Sequence, residues 1–173
     1  MSISPEIKQR LQSCLGSVPA DILHVSIERQ ELTVIKENIE RTAYKASTSQ
    51  YGVGNRDGSN QTPAGIHRIV EKIGEGVPAG TIFRDRIDTK EIWDGNQDTG
   101  NLILTRILRL EGCEDGINRG NGIDSFERYI YIHGTNKENN VGTPLSHGCV
   151  VMRSSDIIEL FNTVKEGTIV VID

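Results

Sequence analysis

Leu145–Met152 reads "LSHGCVVM", a serine, histidine, glycine and cysteine in direct succession with an apolar run behind them. A thiol becomes a strong nucleophile when a neighbouring imidazole takes its proton. Acyl transfer also needs backbone N–H donors where an oxyanion will form. The stretch supplies several of these parts. Gly148 permits a backbone in which the amides around Gly148 and Cys149 converge on one point. In an extended segment His147 and Cys149 lie on the same side of the chain.

A second imidazole comes from Tyr129–Asn136, "YIYIHGTN". Its alternation places Tyr129, Tyr131 and His133 on one face and Ile130 and Ile132 on the other. The isoleucine face is the core face, so His133 projects with the tyrosines from a strand end, where Gly134 turns the chain. The intervening "TNKENNVGTPL" is long enough to bring Cys149 back to His133, which makes His133 and His147 both candidate bases. A zinc site is not expected, because His133, His147 and Cys149 lack a fourth ligand and His-x-Cys is not a usual zinc spacing. Ser146, His147 and Gly148 are poor company for a core cysteine, which favours the nucleophile.

The bulk composition fits a one-domain enzyme. The chain has 173 residues, of which 36% are hydrophobic and 25% charged, enough for a sizeable core. A net charge of −5 with dispersed Lys and Arg argues against a nucleic-acid partner. No stretch approaches the roughly 18 apolar residues of a membrane span. Glu6, Lys8, Gln9, Arg10 and Gln12 interrupt any secretory apolar core near Met1, so a cytoplasmic location is expected. Cys14, Cys113 and Cys149 make an odd number, consistent with free thiols in a reducing compartment.

Periodicity predicts a mostly-β domain with two helices. Pro5 opens a helix with apolar Ile7, Leu11, Cys14 or Leu15, and Val18, closed by Gly16 and Pro19. "ILHVSIE", "ELTVIK" and "RTAYKAST" read as strands, with His24 structural and without a notable polar partner. "QYGVGNRDGSNQTPAG" is a turn-rich connection, "IHRIVEKIG" and "LILTRILRLEG" are strands, and "CEDGINRGNGIDSFE" is a polar loop with Cys113 at its mouth. "SSDIIELFNTVKEG" is a helix with Ser154 or Ser155 as N-cap, a capping box from Asp156 to Glu159, Lys165 in the last turn and Gly167 after it. "TIVVI" closes the chain as a buried strand. Residues 1–20 are expected as a helical segment packed on a single domain, 21–173.

"IHGTN" at Ile132–Asn136 paired with "SHGC" at Ser146–Cys149 resembles the signature of the L,D-transpeptidase (YkuD-domain) family. "TPAGIHRI" at Thr62–Ile69 and the closing "GTIVVI" resemble further family segments. The resemblance implies a β-sandwich-like catalytic domain acting on peptidoglycan stem peptides at the bond between the L-centre of the third residue and D-Ala. It implies Cys149 as nucleophile and His133 as base, with the Gly134 carbonyl orienting the imidazole. His147 would shape the site, Gly148 and Cys149 amides would form the oxyanion hole, and Ser146 would hold the loop. Many members carry Arg or Asn two residues after the cysteine, where this chain has Val151, so Arg119, Arg128 and Arg153 are candidates for an anionic substrate group, with Tyr131 beside them. No cofactor is implied. With a cytoplasmic location, the resemblance is closest to cytosolic L,D-carboxypeptidase-like members, which remove D-Ala from recycled muropeptides. The alternatives are a cross-linking or D-amino-acid-exchanging L,D-transpeptidase and a non-catalytic stem-peptide-binding module. Carbapenem acylation of Cys149 is also expected.

Overall fold

The computed structural model describes residues 3–96 and 98–173. Ten strands and two helices follow the order α1 (Pro5–Leu15), β1 (Ile22–Ser26), β2 (Glu31–Lys36), β3 (Ile39–Lys45), β4 (Gly65–Ile73), β5 (Thr81–Arg84), β6 (Ile87–Ile92), β7 (Ile103–Gly112), β8 (Tyr131–Gly134), β9 (Val150–Met152), α2 (Ser154–Thr163) and β10 (Ile169–Ile172). They form one sheet in the order β3-β2-β1-β10-β4-β7-β5-β6, with β8 added to β7 and β9 to β8. The β1–β10 and β8–β9 pairs are parallel and the others antiparallel.

The sheet curls until its two ends meet. Ser47, just past β3, exchanges two backbone hydrogen bonds of 2.8 Å with Val151 on β9. Leu23, Leu32, Leu110, Ile132, Val150, Met152 and Ile172 fill the interior. Ile157, Leu160 and Phe161 of α2 complete this core. The opposite face of β1 and β10 presents Ile22, Ile169 and Val171, and α1 covers it with Leu11, Ile7 and Cys14. The period-2 alternation of β10 thus splits its side chains between two cores.

Helix α1 matches the sequence pattern, with Ser4 accepting from Ile7 N–H at 3.2 Å and Gly16 in the left-handed C-cap position. Helix α2 departs from it. Arg153 occupies the N-cap position, so neither Ser154 nor Ser155 does, and the cap comes from Glu138, which accepts from Ser154 N–H at 2.7 Å. The helix ends at Thr163, leaving Lys165 and Gly167 beyond it, and Lys72 Nζ donates to the Phe161 and Val164 carbonyls at 2.7 Å each. Tertiary partners have replaced local capping at both ends.

Three smaller differences stand out. Tyr129 lies before β8 with φ of 56°, so the strand begins only at Tyr131. The β5–β6 hairpin has an irregular register and charged, exposed positions, which hide it from a periodicity argument. His24 has a polar partner after all, because Asp173 on the last residue lies 2.7 Å away and its carboxyl is held below the usual range by that contact.

Replacing Glu138 with Ala should cost about 1 kcal/mol of stability, the usual worth of an N-cap. Chemical denaturation of the two proteins checks this, and equal midpoints would contradict the capping role.

Candidate active site

The site forms where β8 runs parallel to β9. Their register sets Ile132 against Val150 and His133 against Val151, so the residue ahead of β9, Cys149, arrives beside Tyr131. Tyr131 N–H donates to Cys149 Sγ at 3.3 Å, and Sγ in turn contacts the Tyr129 carbonyl at 3.5 Å. Cys149, His133, Ser146, His147, Val151 and Leu102 share the walls of a cavity of about 220 Å³. No helix among the described residues is long and apolar enough to cross a membrane.

His133 is buried, with Nδ1 2.7 Å from the Gly134 carbonyl. A carbonyl can only accept, so Nδ1 carries the proton and Nε2 holds the free lone pair. Burial pushes the imidazole down to about 4, so it is neutral at pH 7. Burial also pushes the Cys149 thiol up to about 11, against weaker lowering by the Tyr131 N–H and the Arg128 charge. The resting pair is thiol and imidazole, not thiolate and imidazolium.

Gly134 must be glycine. A Cβ there would stand 2.6 Å from the Leu104 carbonyl of β7. Gly148 has φ of +130°, a conformation side chains rarely adopt, and a Cβ on it would stand 3.3 Å from Ile130 and 3.4 Å from the Gln61 carbonyl. Ser146 Oγ reaches forward to the Cys149 carbonyl and accepts weakly from Gly148 N–H at 3.3 Å. Thr62 Oγ1 donates to the Gly148 carbonyl at 2.9 Å and accepts from Ser49 N–H. The SHGC turn is therefore fastened from both sides. No hydrogen bond among the described residues occupies the Cys149 N–H.

His147 is exposed at the rim, where Asn101 Nδ2 donates to its Nδ1 at 3.1 Å and Tyr51 lies 5.5 Å from it, ring to ring. It is not paired with Cys149. Tyr131 is buried with its hydroxyl accepting from Arg86 at 3.0 Å. Arg119 lies elsewhere, ion-paired to Asp115 at 2.6 Å in a cleft beside Cys14 and Cys113. Arg153 starts α2 and points to the Glu138 carbonyl. Neither lines the cavity. Arg128, one residue before Tyr129, donates to the Gly54 and Gln61 carbonyls at 3.2 and 2.6 Å.

The chain matches the YkuD family, described as the L,D-transpeptidase catalytic domain, over residues 20–172. It belongs to that family. One relative, YqjB of Bacillus subtilis, is 46% identical over 45 residues, which is 26% of this chain and 26% of the relative. The chain thus aligns with about a quarter of that protein's length. Among solved structures, an L,D-transpeptidase from Mycobacterium smegmatis superposes with a TM-score of 0.55 at 14% identity, covering 91% of this chain and 60% of that one. L,D-transpeptidase 3 from Mycobacterium tuberculosis, solved with a faropenem-derived adduct, gives 0.55 at 18% identity and covers 91% and 61%. At those identities the likeness is one of fold: a mostly-β domain with two helices.

Several supporting residues escape a sequence reading. Buried Asn136 accepts from Leu102 N–H at 2.9 Å and donates to the Gly100 carbonyl, anchoring the segment that bears Asn101 over the cavity. His67 and Ser125 are buried together at 2.9 Å, behind the loop that carries Arg128. Their partners are dozens of residues away in sequence, so no local motif announces them.

His67, like His133, is lowered to about 4 by burial. Both stay neutral in the folded chain while the unfolded chain takes up protons below its ordinary histidine value of 6.5. Their stabilising contribution is full above pH 6.5 and is lost as pH falls toward 4. Two such protons give a slope of at most about 2.7 kcal/mol per pH unit. Urea midpoints between pH 7.5 and 4.5 should fall for the native chain and fall less steeply for His67→Gln. Parallel profiles would refute a buried neutral His67.

Proposed function

We propose that this protein is a cysteine acyl-transfer enzyme of peptidoglycan stem peptides, working as an L,D-carboxypeptidase that removes the terminal D-Ala from tetrapeptide muropeptides. The observation that carries the reading is the shared cavity of Cys149 and His133, with His133 Nδ1 fixed on Gly134 and Nε2 left as a base. Residues 21–173 are the catalytic unit and residues 1–20 an appended helical segment. The same reading puts the substrate among soluble, recycled muropeptides of the cytoplasm.

His133 Nε2 takes the thiol proton as Cys149 Sγ attacks the scissile carbonyl. Proton transfer during attack suits a neutral resting pair, since neither partner is charged beforehand. The Cys149 N–H, open for a ligand, donates to the oxyanion, and Gly148 N–H joins it by leaving Ser146 Oγ. The C–N bond breaks, His133 returns the proton to the amine of D-Ala, and a thioester to Cys149 remains. Water then attacks the thioester with His133 as base, releasing tripeptide and restoring the thiol. His147 and Asn101 shape the rim. The modest cavity favours water as acceptor, because cross-linking must seat a second stem peptide beside the thioester. A strained β-lactam carbonyl, carbapenems included, would acylate Cys149 by the same first step.

Mass spectrometry with a disaccharide-tetrapeptide ending in D-Ala tests the reading, with and without excess D-Met and beside Cys149→Ala. Tripeptide is the expected main product in both mixtures. A D-Met-ended tetrapeptide dominating the second mixture would replace hydrolysis by exchange or cross-linking. Absence of any Cys149-dependent product would leave a binding module. His133→Gln should lower turnover by about 10²–10⁴.

A further inference from the structure

Thr62 is far from the SHGC turn in sequence and against it in space. It is fully buried, and Pro63 after it confines its backbone to the extended region. Its N–H donates to the Gly52 carbonyl at 3.0 Å and its carbonyl accepts from Gly54 N–H at 2.9 Å, so the backbone is pinned on both sides. The side chain is committed as well. Oγ1 accepts from Ser49 N–H at 2.9 Å, and its own proton goes to the Gly148 carbonyl, 2.9 Å away.

That bond acts on one particular peptide plane. Gly148 has φ of +130° and no Cβ, so its own sterics leave the tilt of the Gly148–Cys149 peptide loosely defined. Ser146 Oγ reaches the Cys149 carbonyl, which belongs to the next plane, and the Gly148 N–H, which belongs to the one before. Thr62 holds the plane between them. A trans peptide sends its N–H opposite to its C=O, and the chain has no cis bond. With the Gly148 carbonyl turned back to Thr62, the Cys149 N–H points the other way, and no hydrogen bond among the described residues takes it up. It belongs to the residue that shares the cavity walls with His133.

We propose that Thr62 is a positioning residue for the oxyanion: its hydroxyl locks the Gly148–Cys149 peptide so that the Cys149 N–H is aimed in advance at the oxygen of the tetrahedral intermediate. This deepens the acyl-transfer reading and rests on it. A donor aimed beforehand costs no reorganisation as charge develops, which is the source of its effect. Without the hydroxyl the plane rocks about the bonds that flank it, and the donor is misaimed for part of the time. Thr62 neither touches substrate nor moves a proton. Its loss falls on the steps that build an oxyanion and spares the thiol itself.

The test compares Thr62→Val, close in shape but without the hydroxyl, with Thr62→Ser, which keeps it. Each full-length protein is assayed for hydrolysis of the disaccharide-tetrapeptide, for acylation of Cys149 by a carbapenem, and for alkylation of Cys149 by iodoacetamide. The first two pass through an oxyanion. The third displaces iodide at a saturated carbon and forms none. Thr62→Val should lower kcat and carbapenem acylation by about 10–100-fold, less than the roughly 10²–10³ of removing such a donor outright. KM and the alkylation rate should change little. Thr62→Ser should recover most of the loss. Native rates in Thr62→Val overturn the proposal. So does an equal fall in acylation and alkylation, which would make the hydroxyl a support for the thiol or the fold. So does a Thr62→Ser protein as slow as Thr62→Val, which would put the effect in the methyl group. If Thr62→Val does not fold, Thr62→Ala carries the same comparison. A native chain that yields neither tripeptide nor carbapenem adduct would remove the acyl-transfer reading itself, whereas Cys149-dependent turnover indifferent to Thr62→Val removes only the role of Thr62.

Discussion

The close approach of Gly134 to β7 is the constraint on which the site depends. β8 has four residues and β9 three, too few to hold a register alone. β8 takes its register from β7, pressed so near that the Gly134 α-carbon faces the Leu104 carbonyl with no room for a side chain. β9 takes its register from β8 and from the Ser47 bridge on its far side. Two short strands are therefore clamped between β7 and the Ser47 bridge. Their parallel alignment puts the imidazole at the end of one and the thiol at the start of the other. A slip of one residue would turn His133 into the core and Ile132 toward the cavity.

That clamp also fixes the electrostatics. Packing the two strands so tightly buries His133 and partly buries Cys149, and burial drives each toward its neutral form. The result is a thiol that resists ionisation and an imidazole already unprotonated. In the proposed mechanism reactivity then depends on what the substrate brings: an aligned carbonyl and an occupied oxyanion position. A neutral resting pair is compatible with a cysteine enzyme, because the proton need only move as the C–S bond forms.

How much of this was legible in the sequence follows from the range of each interaction. The strands β1, β2, β4, β7 and β10, helix α1 and the body of α2 were readable, because their side chains alternate or recur with one buried face. His133, Gly134 and Cys149 could be picked out because residues of unusual chemistry stand beside glycines in apolar surroundings. The α2 caps are not legible in the sequence, because Glu138 and Lys72 do the capping from outside the helix. The β5–β6 hairpin is not legible because β5 has only four residues and β6 is largely exposed and charged, with no period to follow. Arg119 looked attractive from its place in a glycine-rich loop, but that loop turns toward α1, where Asp115 holds it. Loop direction is a tertiary property and leaves no mark on composition.

The least readable parts are the buried polar residues that connect these elements. Thr62 to Gly148 spans 86 positions, and Ser49 joins the same hydroxyl. Asn136 ties the end of β8 to the segment before β7. Thr105, buried in the bulge of β7 opposite β8, has φ of 76°, a strained conformation for a β-branched residue that costs about 1–3 kcal/mol. Its hydroxyl accepts from Gly80 N–H and meets Ser154 Oγ, so the strain is held by polar contacts on two sides. Each of these groups would be costly to bury alone and is fully used where it sits. Together they tie the segments that carry the cavity walls to one another. Such anchoring suits the proposed reaction, whose base and nucleophile are uncharged until substrate arrives, because packing and hydrogen bonds alone hold them in place beforehand.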